Sequence, residues 1–184
     1  MFLFLNGLNS PFWDPIMVFV SGRLTWLPFY MVLAFFIFRK FHWRGFWVLL
    51  FVAVVVTVAD QSSVQLFKDV FQRLRPCRNP ELVDLVKLVN NRCGGGYSFV
   101  SSHATNTFAV AAFLLNVFRV KPFQVLILFW AALVSYSRVY LGVHYPADIL
   151  GGAILGLACG YGVWHLMQLV HRRFGILGAR GNPA

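Results

Sequence analysis

Three short stretches, far apart along the chain, carry residue types suited to handling a phosphate group. The first holds Lys68, Arg75 and Pro76, the second Ser101, Ser102 and His103, and the third Ser137, Arg138, His144 and Asp148. Lysine and arginine supply fixed positive charge, and the planar guanidinium fork matches phosphate oxygens. Histidine can attack phosphorus through one ring nitrogen, or protonate a departing oxygen. Folding an apolar bundle calls for none of these groups. Ionisable side chains in or beside a bilayer cost free energy, so a cluster of them marks a functional site.

The spacings add detail. His144 and Asp148 are four residues apart, and Pro146 suits the first turn of a helix, where its missing N–H costs nothing. On one helical face the carboxylate can accept a hydrogen bond from one imidazole nitrogen, fix the tautomer and leave the other nitrogen free to attack. A capping interaction at a helix start would use the same spacing. Residues 94–103 run from three glycines into an apolar helix. Ser101 or Ser102 can cap that helix, whose free N–H groups then face an anion, and His103 sits where it could protonate a leaving oxygen. Bare capping would explain the serines without chemistry. Lys68 and Arg75 are seven apart, two helical turns, and Pro76 disfavours helix at Arg75. Arg73 and Lys87 read as ordinary surface charge.

The elements that must hold these groups are helices in a membrane. The 184 residues fit one domain, with 59% hydrophobic and 12% charged content and a mean hydropathy of +0.68. Twenty phenylalanines suit lipid-facing surface and interfacial belts. Apolar runs fall at residues 24–38, 45–59, 104–118, 122–136 and roughly 145–170. Most are shorter than the ~20 residues a span usually needs, so their polar flanks extend them and carry the chemistry. Lipid leaves only helices or closed barrels, and period-two alternation is absent, which predicts an all-α integral membrane bundle.

Charge orients that bundle. Arg39, Lys40 and Arg44 follow the first span, Arg119 and Lys121 the third, and Arg172 and Arg173 the fifth. The positive-inside rule assigns all three clusters to the cytoplasm. The six acidic residues and the three polar stretches then fall on the opposite, outer face. The net charge of +10 is divided between these clusters and the candidate site, which argues against nucleic acid as a partner. Residues 2–22, interrupted by Pro11, Asp14 and Pro15, read as an amphipathic helix in the outer interface, with a sixth span as the alternative. Residues 1–8 lack a basic n-region and a cleavage site, so no removable signal peptide is expected. Gly152, Gly156 and Gly160, four apart, predict a close helix–helix face. The outer loop, residues 68–103, is expected to carry part of the site, and residues 175–184 to form a flexible tail.

Lys-x6-Arg-Pro at residues 68–76 and Ser-Arg-x5-His-x3-Asp at residues 137–148 resemble the signature of the type-2 phosphatidic acid phosphatase family, membrane relatives of vanadium haloperoxidases. The family's middle segment is Pro-Ser-Gly-His. This chain keeps Ser101 and His103 but has Val100 and Ser102 in place of the proline and glycine. The resemblance implies that His144 is a nucleophile forming a phosphohistidine, that Asp148 orients it, and that His103 protonates the leaving group. Lys68, Arg75, Ser101, Arg138 and the Ser102 amide would hold the phosphoryl oxygens, the last of these if Ser102 can take the glycine's backbone conformation. No metal or other cofactor is expected, because the cations replace it and clustered carboxylates are lacking.

The implied activity is that of a lipid phosphatase in the inner cell membrane, with its site on the periplasmic face and a lipid phosphate as substrate. Undecaprenyl diphosphate ranks first, ahead of phosphatidylglycerophosphate, phosphatidic acid and lipid A. Phosphotransfer to another lipid and non-catalytic lipid transport are the rivals. Intact His103, His144 and Asp148 argue against transport, since binding alone needs no nucleophile. In an oxidising outer compartment Cys77 and Cys93 are expected to form a disulfide worth roughly 3 kcal/mol of chain entropy, and Cys159 to pack. Asp60 either positions a cation or is a polar helix end, and His42, His165 and His171 read as interfacial.

Overall fold

The computed structural model describes residues 1–178. Two short helices, α1 (Phe2–Asn6) and α2 (Trp13–Ser21), precede five longer ones and the three-residue α5. These are α3 (Leu27–Phe41), α4 (Gly45–Ser62), α5 (Asp69–Phe71), α6 (Ser102–Val117), α7 (Lys121–Tyr140) and α8 (Pro146–Phe174). The long helices coincide with the apolar runs, and no strand occurs among the described residues. Stretches Leu24–Arg78, Lys121–Tyr140 and Pro146–Phe174 are long and apolar enough to cross a membrane. Phe35, Phe36, Phe46, Phe129, Leu150 and Ile154 point outward, and Ile37, Val48, Val55, Phe113, Leu114, Ile127 and Met167 fill the interior. An apolar exterior around an apolar core is the pattern of a helical bundle in lipid. The protein is an integral membrane bundle.

Helix α6 is the axis of the molecule, buried along most of its length. It lies against α8 through the glycine stripe. A Cβ built at Gly156 would come 2.3 Å from the Thr105 carbonyl oxygen, and one at Gly160 2.2 Å from that of Ala109. Neither helix can retreat without opening the core, so hydrogen is the only side chain that fits. Gly156→Val should therefore cost roughly 3 kcal/mol by overpacking, and melting in detergent would reveal it. Gly162→Ala, where a Cβ meets nothing within 4 Å, should melt like the parent.

The expected N-terminal helix is two helices, and both are fastened to the end of the bundle that carries the candidate site. Buried Asn6 donates to the carbonyl oxygens of Lys87 (3.0 Å) and Tyr140 (2.9 Å) and accepts from the Lys87 amide at 2.9 Å. The Tyr140 hydroxyl donates to Asp14 at 2.8 Å. At the other end, Lys40 donates to the Val117 carbonyl oxygen at 2.5 Å. There Trp43, Arg44 and Trp47 share a cavity of ≈ 620 Å³ with Val170 and Phe174. Lys40 and Arg44 thus lie at the end of the bundle away from the candidate site. Within the tail expected to be flexible from Gly175, Leu177 is buried and donates its amide to His171 Nδ1 at 3.2 Å. That contact also buries His171, which was expected at the interface. Residues 179–184 lie outside the described part.

Candidate active site

The helix α8 start and the loop before it place the two central residues. After α7 the chain turns at Gly142, where a φ of +78 and the 2.9 Å that would separate an added Cβ from the Lys87 carbonyl oxygen require glycine. The turn tucks the amides of Val143 and His144 under the Arg138 carbonyl oxygen (3.1 and 3.2 Å), which sends the His144 side chain inward. His144 is 2% exposed and Asp148 0%. His144 Nδ1 lies 3.3 Å from Asp148 Oδ2, and the same oxygen accepts the Tyr145 amide at 2.8 Å. Cap and orienting contact, set against each other in the sequence, are therefore one arrangement: the carboxylate that starts the helix also aims the imidazole.

Arg75 settles the tautomer. Its Nη1 is 2.9 Å from His144 Nε2, and a guanidinium only donates. Nε2 must therefore carry the lone pair, leaving the proton on Nδ1 for Asp148 to accept. Burial first, then the charges of Arg75 and Arg138, push the His144 imidazole down from 6.5 to about 4, against the opposing pull of Asp148. At neutral pH the ring is uncharged, in the tautomer that a nucleophile needs.

The loop holds Arg75 in turn. Pro76 ends the segment at Arg75, whose backbone is extended. Cys77 and Cys93 form a disulfide with Cα atoms 5.9 Å apart. This closes the loop so that Gly95 presents its carbonyl oxygen to Arg75 Nε (3.2 Å) and Nη2 (2.9 Å). Nη1 also donates to the Val143 carbonyl oxygen at 3.0 Å. A π-helical segment, Ser63–Lys68, continues α4. Such a turn shifts the register of the residues after it, and it is often found at functional sites. Lys68 Nζ from this segment reaches Ser102 Oγ at 2.6 Å. Arg138, at the last turn of α7, donates to Ser21 Oγ of α2. Lys68, Arg75, Arg138, His103 and His144 all lie within electrostatic reach of one another.

Ser101 takes the N-cap position of α6, yet its side chain makes no cap bond, and its buried Oγ has no partner. Its amide donates to the Asp148 carbonyl oxygen at 3.1 Å, locking α6 to α8 beside the site. Ser102 opens the helix with ordinary backbone angles, so its Cβ brings no strain where the family motif has glycine. Its hydroxyl holds Lys68 and bonds Ser63 Oγ at 2.7 Å. His103 lines a cavity of ≈ 680 Å³ between α3, α4, α6 and α7. That cavity is polar near His103, with Arg23, Asp60 and Asn106, and apolar beyond, where Tyr30, Leu114 and Trp130 line it.

Two residues were missed by sequence. Arg73, expected to be surface charge, pairs with Asp148 Oδ1 at 3.2 Å and lies 4.0 Å from the Tyr145 ring. Buried Ser98 donates to Asp148 Oδ2 and sits 3.5 Å from His144 Nδ1. Arg73's own carbonyl oxygen accepts the Ser98 amide at 2.8 Å, so the two arrive together. Only the proximity of Arg73 to Arg75 and of Ser98 to Ser101 could have hinted at this. Among the described residues, no group of three His, Cys, Asp or Glu side chains could hold a metal ion.

Residues 44–172 match the PAP2 superfamily. The chain belongs to that family. As a PAP2 protein it is a lipid phosphatase, and the matched residues take in all three polar stretches. It is 40% identical over 175 residues to a lipid A 4'-phosphatase of Bacteroides thetaiotaomicron, covering 94% of this chain and 76% of that one. To an undecaprenyl-diphosphatase of Sulfolobus acidocaldarius it is 33% identical, covering 83% and 66%. The crystal structure of a transmembrane PAP2 type phosphatidylglycerolphosphate phosphatase from Bacillus subtilis superposes with a TM-score of 0.62. There the identity is 24% and the coverage 93% of this chain and 86% of that one, so it speaks for the fold.

Proposed function

We propose that this PAP2 protein hydrolyses the phosphate monoester of a lipid A-class glycolipid through a phosphohistidine on His144, at the outer face of the inner membrane. The observation that carries the mechanism is the buried Asp148–His144–Arg75 array, which fixes a neutral imidazole with its lone pair on Nε2. Binding of the phosphate dianion offsets the cations around His103, which takes up a proton; Nε2 then attacks phosphorus, the bond from phosphorus to the lipid oxygen breaks, and His103 passes that proton to the oxygen as it leaves. Water then attacks the phosphohistidine, giving up its proton to His103, and inorganic phosphate departs. Lys68, Arg75, Arg138, the Ser101 hydroxyl and the Ser102 amide balance charge on the equatorial oxygens. The lipid tail occupies the apolar part of the cavity behind His103, which puts the leaving oxygen on the acid's side.

For the substrate, the longer and stronger likeness is to the lipid A 4'-phosphatase, and it moves that lipid ahead of undecaprenyl diphosphate, ranked first from sequence. The outer location rests on the charge asymmetry between the two ends of the bundle. Purified protein offered lipid A, undecaprenyl diphosphate and phosphatidylglycerophosphate in mixed micelles should release phosphate fastest from lipid A. Faster release from the prenyl diphosphate would reverse the ranking. A phosphorylated lipid product in place of free phosphate would make the chain a transferase.

A further inference from the structure

One polar pair beside the site has been given no part in that hydrolysis, although its carboxylate lies within electrostatic reach of Lys68. Asp60, in the last turn of α4, accepts a hydrogen bond from Asn106 Nδ2 at 3.1 Å on its Oδ1. Among the described residues, no cation lies within ion-pair distance of that carboxylate. Asn106 Oδ1 is buried and has no partner. Both residues line the cavity shared with His103. A carboxylate with an oxygen to spare and an orphaned amide oxygen are both acceptors, so the ligand group they await is a donor. A buried acceptor left empty costs free energy, which a bundle avoids unless the site is used.

Their position says which part of a substrate would supply the donors. Asn106 lies three residues after His103 on α6, so it shares the same face about one turn, some 5 Å, further into the cavity. The cavity turns apolar beyond it, with Val110 and Leu114 on α6 and Trp130 on α7. The group at Asn106 therefore sits between the scissile oxygen at His103 and the tail. In a sugar or glycerol phosphate that place is taken by hydroxyls on neighbouring carbons. In a polyprenyl phosphate it is taken by bare hydrocarbon.

We infer that Asp60 and Asn106 form a hydroxyl-reading subsite that selects lipids whose leaving alcohol carries further hydroxyl groups beside the scissile oxygen. The inference rests on the phosphatase reading and narrows it to polyol leaving groups. A hydrocarbon leaving group strands both acceptors, and a site built to bond a hydroxyl rejects the analogue that lacks it far more strongly than an apolar pocket rejects an extra methylene.

The test compares kcat/KM for a phosphorylated glucosamine lipid and for a polyprenyl monophosphate in the same detergent, with intact protein. The ratio of the two is read within each preparation, so any inactive fraction cancels. Asn106→Leu and Asp60→Leu should each lower the ratio of sugar to prenyl substrate about tenfold or more. Asp60→Asn, which keeps an oxygen acceptor and the bond to Asn106, should keep most of it. A ratio that stays put in both leucine variants overturns the subsite and leaves the phosphatase reading standing. Equal preference of the parent for the two substrates overturns it as well. If the parent releases phosphate from neither lipid, the phosphatase reading fails and the subsite goes with it.

Discussion

His144→Ala should lower phosphate release by about four orders of magnitude, with no change in the elution of the detergent-solubilised protein. The size of the loss comes from the role of Nε2, which has no understudy: Ser98 and Asp148 lie on the Nδ1 side of the ring, and Arg75 carries no lone pair. Acid quenching of the parent during turnover should trap radiolabelled phosphate on the protein, and the alanine variant should trap none. The nucleophile should also stay neutral well below the usual histidine range. Because the folded pKa is lowered to about 4, the ring is largely free of a proton on Nε2 above about pH 5, and is half protonated at about pH 4. The 15N resonances of His144 in labelled protein report that titration directly. A midpoint near 6.5 would show that the guanidinium contact fails to hold the lone pair open. Hydrolysis above one per cent of the parental rate in His144→Ala would sink the phosphohistidine.

The second large effect concerns charge. With Lys68, Arg75 and Arg138 around one phosphate, hydrolysis should persist in excess EDTA and fall competitively with vanadate, which can adopt the trigonal-bipyramidal geometry of the transition state while bonded to an imidazole. Arg138→Ala should lower kcat/KM by about 100- to 1000-fold, as loss of one preorganised donor does elsewhere. It should weaken vanadate inhibition in parallel, since one guanidinium serves both. Arg138 suits this test because its Nη1 contact in the free protein is a serine hydroxyl on α2, not the nucleophile. Arrest by EDTA with rescue by magnesium would replace the cation-only site with a metal-dependent one.

Much of this was legible in residue types and spacing. A histidine and an aspartate four apart, with a Tyr-Pro pair between them, can only face one another once a helix begins there, and a glycine every fourth residue leaves a groove for a neighbour's backbone. What sequence could not supply was direction in space. Arg73 and Arg75 differ by two residues, yet both turn inward, one to Asp148 and one to His144. The chain between them has left the helix, because Gln72 adopts a left-handed conformation and ends α5. Helical spacing therefore no longer governs which side each arginine faces. Ser98 is found only through the backbone bond that carries it to Arg73, a pairing between segments 25 residues apart. Asp60 had two readings from sequence, and only the cavity wall shows it beside Asn106, within electrostatic reach of Lys68 but in no ion pair among the described residues.

The contact between Arg75 and His144 bears on what the enzyme ignores. Membranes are crowded with acyl esters, whose carbonyl carbons are ordinary targets for a bare imidazole. Here the lone pair is engaged by a guanidinium until something draws that guanidinium off, and only an anion can compete for it. A neutral lipid reaching His144 offers no such competitor and meets a histidine already occupied. On the phosphohistidine mechanism proposed above, discrimination between charged and uncharged lipids is exercised at the nucleophile itself, ahead of any reading of headgroup or tail.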